Sequence, residues 1–171
     1  MKVVTLWAVC MLFATATVVA QGTSPDSTDQ NFVRKAAEGG MLEVKLGELA
    51  MRRGKSQKVK DFGKTMVSDH QKVNNELKDL AARGQITVPA TISKSMQQQY
   101  DSLAAVGTDQ FDMLYMNMMI ASHEQTIGLF QGQSNKGKDP ALKKWADSKV
   151  PALKHHLEMA KGLFKPALGQ K

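Results

Sequence analysis

The sequence predicts an all-α protein: an antiparallel four-helix bundle with a short helical crossover between the second and third long helices. Three observations carry this. Apolar residues recur at helical spacing in four long segments, Val and Ile are sparse with no period-two alternation, and the long segments are separated mostly by short turns. At 171 residues the chain is long enough for one domain with a real core, expected over 32–164.

The first twenty residues stand outside that domain. Met1 and Lys2 form a short positive start, "VVTLWAVCMLFATATV" is an apolar stretch, and Val18-Val19-Ala20 precedes a cut before Gln21, as in a cleaved signal peptide (1–20). The stretch is too short and wrongly flanked for a membrane anchor, and no second one follows. The mature chain is therefore expected in the periplasm, with secretion as the alternative, and without a transmembrane anchor. Cys10 is the only cysteine and leaves with the signal. Disulfides, zinc-thiolate sites and cysteine nucleophiles are thereby excluded from the mature form. The net charge of +7, lowered by one when Lys2 is removed, is modest and dispersed. Without a basic motif interleaved with aromatics, nucleic acid is not an expected partner. The sequence names no other partner beyond a metal ion or small ligand.

"QGTSPDSTDQN" (21–31) reads as a polar, flexible leader ending in a helix cap. The first long helix is expected over about 29–53 and the second over about 56–83, with Gly54 turning between them and Arg83-Gly84 stopping the second. Within 84–108, Ile92, Met96, Tyr100 and Leu103 mark a short amphipathic helix in a crossover or lid. The third long helix is capped by Thr108 or Asp109 and runs over about 109–131. "GQSNKGKDP" makes the next turn, the fourth helix covers about 139–164, and 165–171 is a C-terminal tail. Pro151 falls inside the fourth helix, where its missing N–H predicts a kink or restart.

Each helix sends a polar group inward. In the first, Phe32, Ala36, Gly40, Gly47 and Ala50 mark the apolar stripe; Glu43 lies on it, whereas Glu38 projects into a charged arc expected to be solvated. In the second, His70 sits among Met66, Val67, Val73 and Leu77. In the third, Gln110, Asn117, Glu124 and Gln125 form the polar strip, and Asp112 and His123 lie on the far side with Tyr115 and Met119. In the fourth, His156 points in with Leu153 and Leu157, His155 points out, and Lys149 also projects inward. The metal candidates are therefore Glu43, His70, Asp112, His123 and His156. Carboxylates with neutral imidazoles suit one transition metal, Zn, Mn, Fe or Cu. Met66/His70 and Met119/His123 at i, i+4 add a Cu(I) reading, although methionines also fill cores.

"FVRKAAEGGMLEVKLGELAMRRGKSQKVKDFGKTMVSDHQKVNNELKDLA", "FDMLYMNMMIASHEQTIGLF" and "DPALKKWADSKVPALKHHLEMAKGLF" together span most of 32–164. Over that range the chain resembles the exported bacterial domain-of-unknown-function family 4142. The "SDH", the "FDxxY…H" and the "P-x-L-x-x-H-L" around His70, His123 and His156 carry the likeness. The resemblance implies a ferritin-like four-helix fold and an envelope location, and no activity. Ferritin-like di-iron sites use Glu-x-x-His pairs, but Val67, Ile120 and Leu153 stand three before the histidines. No standard di-iron carboxylate site is present, so iron storage and ferroxidase chemistry are not implied by the fold.

Helix levels separate the candidates. A turn at Gly54 sets His70 about 6 Å in rise from Glu43, while the expected third turn puts His156 level with Tyr115 and about 12 Å from His123. One site using all three histidines is therefore not expected; His70 with Glu43, or His156 with Asp112 and Tyr115, is easier. The competing reading is a buried hydrogen-bonded network in which Glu43, Asp112, Tyr115 or backbone carbonyls satisfy each imidazole. No catalytic residues and no Gly-rich phosphate loop are found. Ser122 and His123, adjacent on a helix, point about 100° apart. The sequence thus points to a non-enzymatic envelope or stress protein with a metal or small ligand in its core. A metal-dependent redox enzyme with a non-standard site, and a purely structural or interaction module, are the alternatives.

Overall fold

The computed structural model describes residues 27–164; the expected signal peptide, residues 21–26 of the leader and the tail lie outside them. The described residues form five helices: α1 (Ser27–Arg53), α2 (Gln57–Arg83), α3 (Lys94–Ala104), α4 (Thr108–Lys136) and α5 (Pro140–Leu163). No strand occurs among them. None of these helices is long and apolar enough to cross a membrane.

Helix α1 begins earlier than its sequence suggests, because Asp29 has a structural task. Its buried carboxylate accepts hydrogen bonds from the backbone N–H of Lys138 (3.0 Å) and Asp139 (2.8 Å) and from Gln133 Nε2 (2.7 Å). The end of the leader thereby anchors the α4–α5 turn. Asp139 in turn caps α5 by accepting from the Leu142 N–H at 2.8 Å, with Pro140 in the first turn, where its missing N–H costs nothing.

At the other end of α1, the Gly54 N–H bonds the Ala50 carbonyl at 2.8 Å. The Asp112 carboxylate then accepts from the N–H groups of Lys55 (2.9 Å) and Ser56 (2.7 Å). A carboxylate there complements the exposed donors and the positive end of α2. Asp112 is thus a cap supplied across the fold and not an inward ligand. The Arg53 guanidinium donates to the carbonyls of Ala104 and Val106, tying α1 to the end of α3. Between the caps, α1 and α2 approach closely at a glycine pair. A Cβ on Gly47 would lie 2.7 Å from the Gly63 carbonyl oxygen, and one on Gly63 equally near that of Gly47.

The amphipathic segment expected within 84–108 is α3, with Leu103 buried and Met96 and Tyr100 packed on the core, as is Ile92 just before the helix. Helix α5 neither stops nor restarts at Pro151. Both Pro151 and Asp147, whose carbonyl loses its partner four residues on, face solvent, so water can satisfy that carbonyl. Glu38 also departs from expectation: it is buried, 3.6 Å from Arg34.

Helix α1 packs on α2 and α4, α5 packs on α4 and α2, and α3 lies against α1 and α4. Their apolar faces form two clusters. One gathers Leu46, Phe62, Met66, Tyr115 and Met119, the other Phe32, Leu77, Phe130, Leu142 and Leu153. In α2, α4 and α5 the boundary between the clusters falls at a polar residue, His70, His123 and His156 in turn, and in α1 Glu43 lies just past it, beside Leu42.

Candidate metal centre

His70 follows Met66 by one turn on the buried face of α2, His123 follows Met119 on α4, and His156 follows Leu153 on α5. Helical spacing alone therefore aims each ring inward. The three are 7 %, 1 % and 5 % exposed. Their ring centroids are mutually close: 5.8 Å for His70–His123, 5.7 Å for His70–His156 and 5.5 Å for His123–His156. One nitrogen from each lies within 4.8 Å of the others, a spacing that could hold a metal ion.

This overturns the expectation that His123 and His156 stand too far apart in level. Residues 132–136, read as turn, continue α4 to Lys136, and α5 starts only at Pro140. The shift moves the level partner of His156 from Tyr115 to about residue 120, within one helical turn of His123. His155 points outward as expected, exposed to solvent.

Two of the three rings have their outer nitrogen held. His123 Nδ1 is 2.8 Å from the Met119 carbonyl oxygen, which can only accept, so Nδ1 carries the hydrogen and Nε2 presents its lone pair. His156 Nε2 is 3.0 Å from Asp69 Oδ2. The same logic leaves Nδ1 of His156 as the lone pair. His123 Nε2, His156 Nδ1 and His70 Nε2 are all buried without a hydrogen-bond partner. Backbone-carbonyl and carboxylate partners on the far nitrogen are the usual support of metal-ligating histidine.

Burial also disfavours the charged form of His70 and His156. Burial pushes His70 down to about 3, with His123 and His156 adding to the effect. Burial lowers His156 as well, against the opposing pull of its hydrogen bond to Asp69. Neutral imidazole is the form that binds metal.

Glu43 and Tyr115 complete the polar layer without satisfying the histidines. Glu43 is 4 % exposed; its Oε1 accepts from Ser122 Oγ at 2.5 Å, and its Oε2 has no partner. Burial holds its carboxyl above the usual carboxylate range, with His123 and the Ser122 hydrogen bond pulling it back. The Tyr115 hydroxyl is buried and unpartnered too, and burial together with Glu43 raises it further above its ordinary value. The network expected to satisfy each imidazole through Glu43, Asp112 and Tyr115 is therefore not formed. Among those partners only a backbone carbonyl, on His123, is realised. Of the five candidate ligands, His70, His123 and His156 converge, Glu43 lines the same layer, and Asp112 serves the α2 terminus. Met66 and Met119 are fully buried in the apolar cluster beside the histidines.

Sequence reasoning missed Asp69. It stands next to His70 in "SDH", half exposed, and its role appears only when α5 brings His156 to it. It also missed Lys149 as a partner: the inward-leaning ammonium is 2.5 Å from Glu76 Oε2, and the Trp145 indole donates to the same oxygen at 3.1 Å.

The fold and the site define an all-helical protein with three histidines gathered in its core. The chain belongs to the family described as a domain of unknown function, DUF4142, whose model matches residues 14–163. Among solved structures it is similar to the crystal structure of a DUF305 fragment from Deinococcus radiodurans, with a TM-score of 0.72 and 11% sequence identity, over 83% of this chain and 98% of that one. At that identity the likeness speaks for the fold alone. No curated protein matches the chain significantly.

Proposed function

We propose that this protein is a non-enzymatic, metal-binding protein of the bacterial envelope, exported to the periplasm and serving metal handling or stress tolerance there. Its four long helices make an antiparallel, ferritin-like bundle with α3 in the crossover, and His70, His123 and His156 hold one divalent transition ion of the Zn²⁺ or Cu²⁺ class. The observation that carries the reading is the set of three buried ring nitrogens without partners. Leaving such groups unsatisfied costs about 1–3 kcal/mol each, and a shared ion removes the cost at all three. Binding draws the nitrogens from within 4.8 Å of one another to about 3.3 Å, the separation that Zn–N bonds of about 2.05 Å require in a tetrahedron. The bundle reading is supported by the short α1–α2 and α4–α5 connections and the pairwise packing of the long helices.

Elemental analysis of protein purified without an affinity tag tests this. The expected result is one equivalent of metal, lost in a folded His70→Ala/His156→Ala variant. Metal retained at full stoichiometry in that variant would place the ligands elsewhere.

A further inference from the structure

Two of the three histidines border a cavity. It has a volume of about 240 Å³ and is lined from α1, α2, α4 and α5, and His70 and His156 form part of its wall together with Glu43, Asp69, Lys35 and Lys72. Glu43 presents to this polar layer a carboxyl oxygen that has no partner within the protein. The charged residues inside the cavity are otherwise engaged: Asp69 with His156, and Glu76 with Lys149. Lys35 and Lys72, both exposed, also line the cavity, and Lys72 is near enough to Glu76 to help lower its carboxyl.

Three nitrogen ligands leave a tetrahedral ion one position short, and a site built this way takes water or an exogenous ligand there. We infer that the fourth position of the metal faces this cavity and binds a small oxyanion of carboxylate or bicarbonate size, one oxygen on the metal and another sharing a proton with Glu43 Oε2. The inference rests on the metal reading above and deepens it. It gives the unpartnered oxygen of Glu43 a partner. The cavity, with room for several waters at about 30 Å³ each, suits a ligand of only a few non-hydrogen atoms.

The choice of Gly39 in the cavity wall supplies a means of closing it. A Cβ there meets no atom within 4 Å, so a larger side chain enters open space and not the packed core. Ala152, exposed on the opposite wall, offers a second position.

The test is a formate titration of Co²⁺-loaded protein, whose visible bands report the ligands and coordination number of the ion. The expected result is a saturable spectral change in the wild type, about tenfold weaker binding in Glu43→Gln, and no response in Gly39→Phe or Ala152→Phe with Co²⁺ still bound one to one. Co²⁺ bound one to one but indifferent to formate would overturn this inference and leave the metal site standing. Formate binding unchanged in both filled variants would overturn the cavity as the ligand's place. Failure to bind Co²⁺ at all would overturn both readings together.

Discussion

Metal-free protein is expected to lose about 3 kcal/mol of stability between pH 7 and pH 4 through His70 alone. The folded protein holds this imidazole near 3, far below its ordinary 6.5, because burial and its two histidine neighbours disfavour the charge. The unfolded chain therefore binds the proton first. Stability is complete above about pH 6.5 and drains away as the pH falls towards 3. His156, also lowered by burial, adds in the same direction. Glu43 acts oppositely: its carboxyl is raised, so the folded state takes up that proton first and regains some stability in acid. The difference in urea unfolding between chelator-treated Glu43→Gln and Glu43→Gln/His70→Phe proteins across this range isolates the His70 contribution, since carboxylates such as Glu76 also titrate there. No difference between the two would show that His70 is hydrated and not held neutral by burial.

The second large effect is on metal affinity and is graded by distance from the ion. His123→Ala removes one of three ligands from the most deeply buried position and is expected to weaken binding by about a thousandfold, roughly 4 kcal/mol. Asp69→Asn keeps every ligand and changes only the group that orients His156. About a ten- to hundredfold loss is expected there. Competition titration against a chelator of known affinity reads both. Equal losses in the two variants would mean that Asp69 itself binds the ion, while no loss in either would separate the histidines from metal altogether.

The parts of the fold that were legible in the sequence are those set by helical period. The apolar stripe of α1, the buried face of α2 around His70 and the outward His155 beside the inward His156 all follow from spacing, because 3.6 residues per turn determines which side chains share a face. What spacing does not carry is the relative level of two helices. That depends on where each helix stops, and Gly132, Ser134, Asn135 and Gly137 together look like a turn, which ends α4 too early. The helix continues through the first three, held in part by Gln133, which is buried against Asp29 more than a hundred residues away in sequence. A shift of about five residues there separates the levels of His123 and His156. Asp112 departs from expectation for a related reason. Its position on α4 resembles an inward one, and only the packing of α4 beside the α1–α2 turn shows that it caps α2. Glu38 was placed in solvent by its charge and its neighbours. Helix packing buries it beside Arg34.

The polar layer also explains why the core forms two clusters and not one. Burying four polar side chains at one level is costly unless something satisfies them. The protein satisfies the outer nitrogens of His123 and His156 and one oxygen of Glu43, leaving the inner atoms bare. That asymmetry, with the outer atoms paired and the inner ones unpaired, supports the proposed ligand set over a register-fixing network, in which the groups would bond one another.

The central claim is that one ion sits among these three rings, and anomalous scattering from crystals grown with one equivalent of Zn²⁺ tests it most directly. The account predicts a single strong peak at the zinc edge about 2 Å from Nε2 of His70, Nε2 of His123 and Nδ1 of His156. A peak at surface carboxylates or at His155, with the three buried rings left unbridged, would contradict it.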